Sequence, residues 1–273
     1  MPSRKDSGWA RIIEHKIDQI LCTAHRQGDR VGPPMDLESL CENFRVIAVE
    51  DRPMIPEAST EPTNGGFRVY LRNNFLESEG GTSRRRFTLA HEFCHTLFYD
   101  WSTEVPKRVL GAPVGENVEA LCHRGAGLLL VPTSLLTSQV QSLGARLTAK
   151  NVPGLASKFK VSIEVILRRL QEVIEPPVDQ SIILVGPLGE DTDAHILGSY
   201  SGPWILSHLA APTYGLSLDD WLKSTSAKTA FLHGEFRRGV PGGTLLAREP
   251  VSLSRGRILL DVSMELAQMV APV

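Results

Sequence analysis

The most constraining stretch of this chain is the pattern His-Glu-x-x-His at residues 91–95, which lies in a segment of helical periodicity. Positions four apart stand one turn above each other on a helix, so the imidazoles of His91 and His95 project from the same side and can reach one metal ion. Glu92 is rotated by about 100° from His91, where it can hold a water on that ion. The pattern therefore predicts a metal site.

An alternative is that the pattern is a chance feature of a solvated helix face. A motif with three fixed positions occurs by chance in many proteins. Here, however, apolar residues recur around the motif at steps of three and four, as on a buried helix. They are Phe87, Ala90, Cys94, Leu97 and Phe98. We therefore favour an inward-facing metal site.

A third ligand is expected from a carboxylate or a histidine on a following element. Glu119 begins a strongly apolar run with helical spacing, which Pro132 ends. A carboxylate at the head of a buried face needs a partner, because an unpaired buried charge costs several kcal/mol. Glu119 is therefore preferred over Glu104 and Glu116, neither of which begins an apolar helical face. His123 could orient a ligand or bind a developing oxyanion, or it could be a polar residue at the rim.

Composition limits the class of protein. The chain has 273 residues, is 42% hydrophobic and carries a formal net charge of −2, as expected of a globular protein with two domains or one domain and a module. This charge balance argues against a generally basic nucleic-acid binder. No run approaches the roughly 18 apolar residues of a membrane span, and the N-terminus lacks a signal-peptide pattern, so we expect a cytoplasmic protein with no membrane partner.

The cysteines have no C-x-x-C spacing, which favours reduced thiols over a disulfide framework or a zinc ribbon. Cys94 and Cys122 lie near the predicted ligands. They could form a redox switch that ejects the metal, but small buried thiols that pack the site are the favoured interpretation. The other two are Cys22 and Cys41.

Upstream of the metal motif, the patterns predict scaffold helices, a loop and a strand. A helix is expected over about 8–26, and Asp36 is expected to cap a second one. The stretch Pro53 to Gly66, rich in Pro, Thr and Ser, is predicted to be a loop. Residues 66–72 alternate apolar and polar side chains, as in a strand. If this strand lies at a sheet edge, its backbone around Tyr70 could pair with a peptide substrate; otherwise it is purely structural.

Residues 86–95, followed by Glu119-x-x-Cys122 and the run 128–132, resemble the ImmA/IrrE family of metallopeptidases. The resemblance covers about residues 8–175. It implies an α+β fold that contains a minimal zincin-like peptidase domain. Family members cut a helix-turn-helix transcriptional repressor and so release stress-response or mobile-element genes.

Carried over position by position, the resemblance implies His91, His95 and Glu119 as zinc ligands and Glu92 as the catalytic glutamate. Manganese or iron could also occupy a site of two imidazoles and a carboxylate.

Two further modules are expected beyond the peptidase core. Residues 152–170 indicate a helix-turn-helix-like pair with a tight turn near Lys160. A DNA reader usually has glycine in this turn, so a structural or repressor-docking role is favoured over direct DNA binding. The family resemblance implies a GAF-like α/β sensor domain beyond the linker. The predicted domains are a peptidase (1–137), the helical module (138–177) and the sensor-like domain (178–273).

The expected function is therefore site-specific zinc proteolysis of a helix-turn-helix repressor. The main alternative is a DNA-binding regulator whose metal site is structural or regulatory, and a general degradative peptidase is a third class. A pure regulator would not need Glu92. A digestive enzyme would endanger a cell that had no means of confining it.

Overall fold

A computed structural model describes residues 4–28, 31–73, 81–144, 146–177, 180–187, 194–201, 235–240, 243–253 and 257–266. The chain divides into two compact units. The first comprises residues 1–136 and 156–162, and the second comprises 137–155 and 163–273. The fold is a mixture of helices and small sheets, so the predicted α+β class is confirmed. Among the described residues, no helix combines the length and the apolar character needed to cross a bilayer.

Helices α1 (Arg4–Gln27) and α2 (Leu37–Asn43) confirm the predicted scaffold. The apolar stripe of α1 is buried at Ile13, Ile17 and Ile20, because these side chains recur on one helix face. Asp36 caps α2 as predicted, since its side chain accepts a hydrogen bond from the Ser39 backbone N–H at 3.2 Å.

The first sheet contains β1 (Val46–Arg52), β2 (Ala58–Thr63) and β3 (Gly66–Arg72), in the order β1-β3-β2. Strand β3 pairs with β1 in parallel and with β2 in antiparallel orientation. The predicted strand at 66–72 is therefore correct, but its suggested position at the sheet edge is wrong. Strand β3 is paired along both of its edges, and its apolar residues Phe67, Val69, Tyr70 and Leu71 are buried.

The predicted loop from Pro53 to Gly66 is wrong in its second half, because that half forms β2. An edge strand is paired on one side only and meets water, so it tolerates Ser, Thr, Glu and Pro. The polar sequence of β2 therefore has the composition of a loop although its backbone is extended.

Helix α3 (Gly81–Thr96) carries the His-Glu-x-x-His pattern and is followed by a hairpin of β4 (Tyr99–Asp100) and β5 (Lys107–Arg108). Helix α4 (Glu116–Leu130) packs on α3 and α1. It begins earlier than predicted and ends before Pro132, as expected of a helix that meets proline. Helix α5 spans Thr133–Ser142.

Gly125 on α4 stands where three helices meet. A Cβ at this position would lie 2.7 Å from Cys94 Sγ and 3.3 Å from side-chain atoms of Ile13 and Ile17. Real carbon atoms do not approach a core sulfur so closely, so the absence of a side chain allows α4 to pack against α3 and α1.

The remaining elements begin with a 3₁₀ helix at Ala149–Asn151, α6 (Val152–Phe159) and α7 (Ile163–Val173). The two predicted helices and their turn are present, and Lys160 takes a left-handed conformation with φ 53°. A role for this pair in DNA binding or docking stays a prediction.

The second unit contains a five-stranded antiparallel sheet of order β7-β6-β10-β9-β8. Runs of branched apolar residues in the sequence predict strands near 181–185, 194–199 and 256–262, and β6, β7 and β10 are found there. The sequence also predicts a strand at 204–206 and a helix at 218–223, both of which lie outside the described residues. The bounds are β6 Gln180–Pro187, β7 Ala194–Ser201, β8 Glu235–Val240, β9 Gly243–Ser252 and β10 Ile258–Leu266. Whether this unit is a GAF-like sensor domain stays a prediction.

Gly125→Ala should lower the free energy of unfolding by about 1–3 kcal/mol, because the added methyl group overpacks the contact with Cys94. Urea unfolding followed by circular dichroism measures this change. Gly8→Ala on α1 is the matched control: a Cβ there meets nothing within 4 Å, so helix propensity alone should stabilise the protein by up to about 1 kcal/mol. Equal effects of the two substitutions would contradict the packing role of Gly125.

Candidate metal centre

Helices α3 and α4 bring two histidines and a carboxylate to a common point. The Nε2 atoms of His91 and His95 are 3.2 Å apart. Glu119, in the first turn of α4, has Oε2 at 3.0 Å from His91 Nε2 and Oε1 at 3.5 Å from His95 Nε2. The three residues predicted as ligands are therefore adjacent. Neither Glu104 nor Glu116 belongs to a group of possible metal ligands among the described residues.

The chemistry of this donor set fits a divalent metal ion. Burial lowers the pKa of His91 to about 4 and also lowers the pKa of His95. Both imidazoles are therefore neutral at pH 7 and each can offer a lone pair. Two imidazole nitrogens and one carboxylate are a common ligand set of catalytic zinc and leave a further coordination position open.

Two additional side chains lie within reach of the same point. Ligand atoms of His91, His95 and Cys122 lie within 4.8 Å of one another, and so do those of His91, Glu119 and His123. From the sequence, Cys122 was expected only to pack the site or to act in a redox switch. Its position within reach of the two histidines was not predicted.

We favour Glu119 over Cys122 as the third ligand. Burial raises the pKa of the Cys122 thiol, which disfavours the thiolate that a metal requires. The side chain of Glu119 is 55% exposed, so the burial expected from the sequence is wrong, and its contacts with both imidazoles are what favour it as the third ligand.

His123 has the position of an orienting residue. Its Nδ1 is 2.9 Å from the backbone oxygen of Glu119, and its ring centroid is 4.5 Å from that of His91. The ring thus contacts one predicted ligand and the backbone of another.

Glu92 is buried beside the donor set and is held by a residue that the sequence did not reveal. The Thr60 hydroxyl lies 2.7 Å from Glu92 Oε2 and 3.1 Å from the Glu92 backbone oxygen. Burial raises the pKa of Glu92, and the hydrogen bond from Thr60 opposes this shift. Thr60 lies on β2, within the stretch predicted to be a loop, so no sequence signal linked it to the site.

Comparison with known proteins agrees with this geometry. Residues 63–171, which include both histidines, Glu92 and Glu119, match the family described as the IrrE N-terminal-like domain. Over these residues the chain is similar to the ImmA/IrrE family. The resemblance predicted from the motifs is therefore confirmed. Thr60 lies just outside the matched range.

Two relatives carry the name radiation response metalloprotease IrrE. The protein from Deinococcus deserti is 32% identical over 150 residues, which is 54% of this chain and 50% of that protein. The protein from Deinococcus radiodurans is 26% identical over 114 residues, or 41% of this chain and 34% of that protein. The chain thus matches half or less of the length of these relatives.

A solved structure of a Mycobacterium tuberculosis transcriptional regulator also aligns, with a TM-score of 0.45 and 14% identity. The alignment covers 94% of this chain and 80% of that one, but its similarity is too low to indicate fold or function.

Two other sequence features of the IrrE-like domain have structural partners. The ring of Tyr70 lies 3.3 Å from the Arg52 guanidinium, so its described contact is on the sheet and not with the histidines.

The three consecutive arginines at 84–86 also have partners. Arg84 pairs with Glu57, Arg85 pairs with Asp51, and Arg86 donates to the Met35 carbonyl. Each of the three arginines thus has a partner within the structure. Cys94 is fully buried with a raised thiol pKa, which favours packing over redox chemistry.

Glu119→Ala should lower the affinity for zinc by more than about 100-fold, because it removes a direct ligand rather than an outer partner. Cys122→Ala should retain the metal, which makes it the matched control at the same site. Metal content after dialysis, measured by inductively coupled plasma mass spectrometry, distinguishes the two. Loss of zinc from the Cys122 variant with retention in the Glu119 variant would assign the third ligand to the thiol instead.

Proposed function

We propose that this chain is a zinc-dependent endopeptidase that cleaves a helix-turn-helix transcriptional repressor and thereby derepresses stress-response genes. The observation that carries the proposal is a buried glutamate, Glu92, next to convergent donors from His91, His95 and Glu119. The names of the two Deinococcus relatives support both the peptidase activity and the stress response. We assign zinc because of the ligand chemistry, although manganese or iron could bind the same donors.

The chain's own residues would divide the chemistry between them. A bound metal would acidify a water and polarise the scissile carbonyl. His91, His95 and Glu119 would hold it. Glu92, whose pKa burial raises, would take a proton from the attacking water and return it to the leaving amine. Thr60 donates to only one Glu92 oxygen at a time, so its bond to Oε2 leaves Oε1 available for the water.

Strand β2, rather than β3, is the candidate edge for substrate pairing. Among the described strands its only neighbour is β3. Its Thr60 contacts Glu92, so a peptide added along β2 would pass next to the catalytic carboxylate. Backbone pairing at a free sheet edge is a general way to bind an extended peptide.

Narrow specificity would come from contacts outside this cleft. A cytoplasmic peptidase with a general substrate range would be harmful, and binding at a second surface gives discrimination that a short edge strand does not. The helix pair α6–α7 is a candidate for docking a repressor, and the sheet of the second unit is a candidate for sensing an activating ligand.

Thr60→Val should reduce kcat by about 10- to 100-fold with little change in KM, because the substitution keeps the shape of the side chain but frees the Glu92 carboxylate. Thr60→Ser keeps the hydroxyl and should restore most of the activity. Thr63→Val on the same strand is the control for effects on β2 itself. Steady-state cleavage of a peptide that spans the cleavage site measures all four proteins, and full activity of Thr60→Val would exclude this positioning role.

Zinc-loaded protein should cut the repressor encoded nearest to its gene at a single site and leave casein intact. A chelator should abolish the cleavage, and Glu92→Gln should retain zinc but lose at least about 100-fold in rate, because it removes the general base. Gel electrophoresis and mass spectrometry of the products identify the site.

Other outcomes of this experiment would contradict the proposal. Rapid digestion of casein would indicate a general peptidase. Tight binding of operator-like DNA without proteolysis by the wild type would indicate the alternative function, a regulator whose metal site is structural. Normal activity of the Glu92→Gln variant would exclude the proposed mechanism.

A further inference from the structure

A cavity in the first unit lies between α1 and the β4–β5 hairpin, and none of the predicted metal ligands lines it. Its volume is about 720 Å³, within the range of about 300–1,000 Å³ typical of small-molecule sites. Helix α1 forms one wall with Lys16, Ile20 and Thr23. Its size and its concave shape therefore suit a small ligand.

The opposite wall is aromatic and is held in place by ring contacts. Phe44 and Trp101 line the cavity with their ring centroids 6.4 Å apart. Tyr99 also lines it and packs edge-on against the buried Phe67 at 5.3 Å. The Trp101 indole N–H donates to the Thr96 carbonyl at 2.8 Å, so this ring has a fixed orientation. Such a wall offers a preformed surface for an apolar or aromatic ligand.

The charges in the lining are unbalanced. Three cations, Lys16, Lys107 and Arg108, face one carboxylate, Asp100. Asp100 already accepts a hydrogen bond from the Ser102 backbone N–H at 2.9 Å. The cavity therefore has an excess of positive charge.

The two cations of β5 supply this excess. Among the described residues, neither Lys107 nor Arg108 forms an ion pair. Lys107 stands opposite Asp100 in the hairpin, and Arg108 donates to the Pro113 carbonyl and lies near the rings of Phe98 and Tyr99. Lys16 donates to the Leu97 carbonyl, and burial lowers the pKa of its ammonium group, with the nearby Asp100 opposing the shift. An anion would therefore be favoured at the hairpin side of the cavity.

We propose that this cavity binds a small organic anion, with its carboxylate or phosphate at Lys107 and Arg108 and its apolar or aromatic body against Phe44 and Trp101. A neutral ligand of the same shape would leave the cations uncompensated. A bare inorganic anion would leave the aromatic wall exposed to water. Both properties of the lining are used only by a ligand that combines charge and apolar surface.

Isothermal titration calorimetry of the full chain with a matched naphthalene series tests this proposal. The anionic probes are naphthaleneacetate and naphthyl phosphate, and their order of affinity distinguishes a carboxylate ligand from a phosphate ligand. Naphthaleneacetamide and naphthalenemethylamine are the neutral and cationic probes, and acetate and inorganic phosphate lack the ring. We expect saturable binding of the aromatic anions, at least about fivefold tighter than that of every other probe.

Two variants and one control assign the binding to this cavity. Lys107→Glu should weaken binding of the aromatic anions by at least about fivefold, and Gln19→Trp should fill the cavity from α1 and abolish the binding of every aromatic probe. Arg11→Glu reverses an exposed cation of α1 outside the cavity and should bind as the wild type does. Circular dichroism checks that each variant is folded.

The proposal is overturned if no aromatic anion binds, if the amide binds as tightly as the acid, or if Lys107→Glu behaves as Arg11→Glu does. Because the readout is binding without cleavage, the result is independent of whether the chain is a peptidase.

Discussion

The close approach of α4 to α3 at Gly125 is the contact on which the rest of the first unit depends. Packed helices normally keep their axes about 8–10 Å apart, and small residues determine how near they can come. Gly125 meets Cys94, which is next to His95 in the chain. Six positions earlier on α4, Glu119 reaches the two imidazoles. The geometry of the donors is thus a consequence of core packing, and not of the motif alone.

Helix α3, which carries His91 and His95, could be predicted because its information is local. The spacing of His91 and His95 and the apolar period around them act within one helix, and Glu119 is revealed by its place at the head of an apolar run. Thr60 could not be predicted in this way. Its contact with Glu92 joins residues 32 positions apart, and it depends on an edge strand whose polar sequence resembles a loop. Strand β3, whose sequence is apolar, is instead paired on both sides and lies in the centre of the sheet.

In the second unit, too, individual strands could be predicted from the sequence but their arrangement could not. Strands such as β6 are readable from their runs of branched apolar residues, whereas their order in the sheet is not. Strand β10 lies between β6 and β9, so the last of the described strands separates earlier ones. Side-chain patterns do not encode which strands become neighbours. The role of the unit as a sensor consequently rests on family resemblance and stays a prediction.

The backbone of β2 limits what can be bound along it. The Glu57 carbonyl accepts a hydrogen bond from the Arg72 N–H of β3. The Phe67 N–H of β3 donates to the Arg45 carbonyl, and therefore not to β2. By alternation, the free edge therefore presents the N–H and C=O groups of Ala58 and Thr60 but only the carbonyl of Pro62. An added strand would find full pairing for a few residues around Thr60 and would lose a donor at Pro62. Such a template pairs best with a short extended segment and disfavours a long continuous strand.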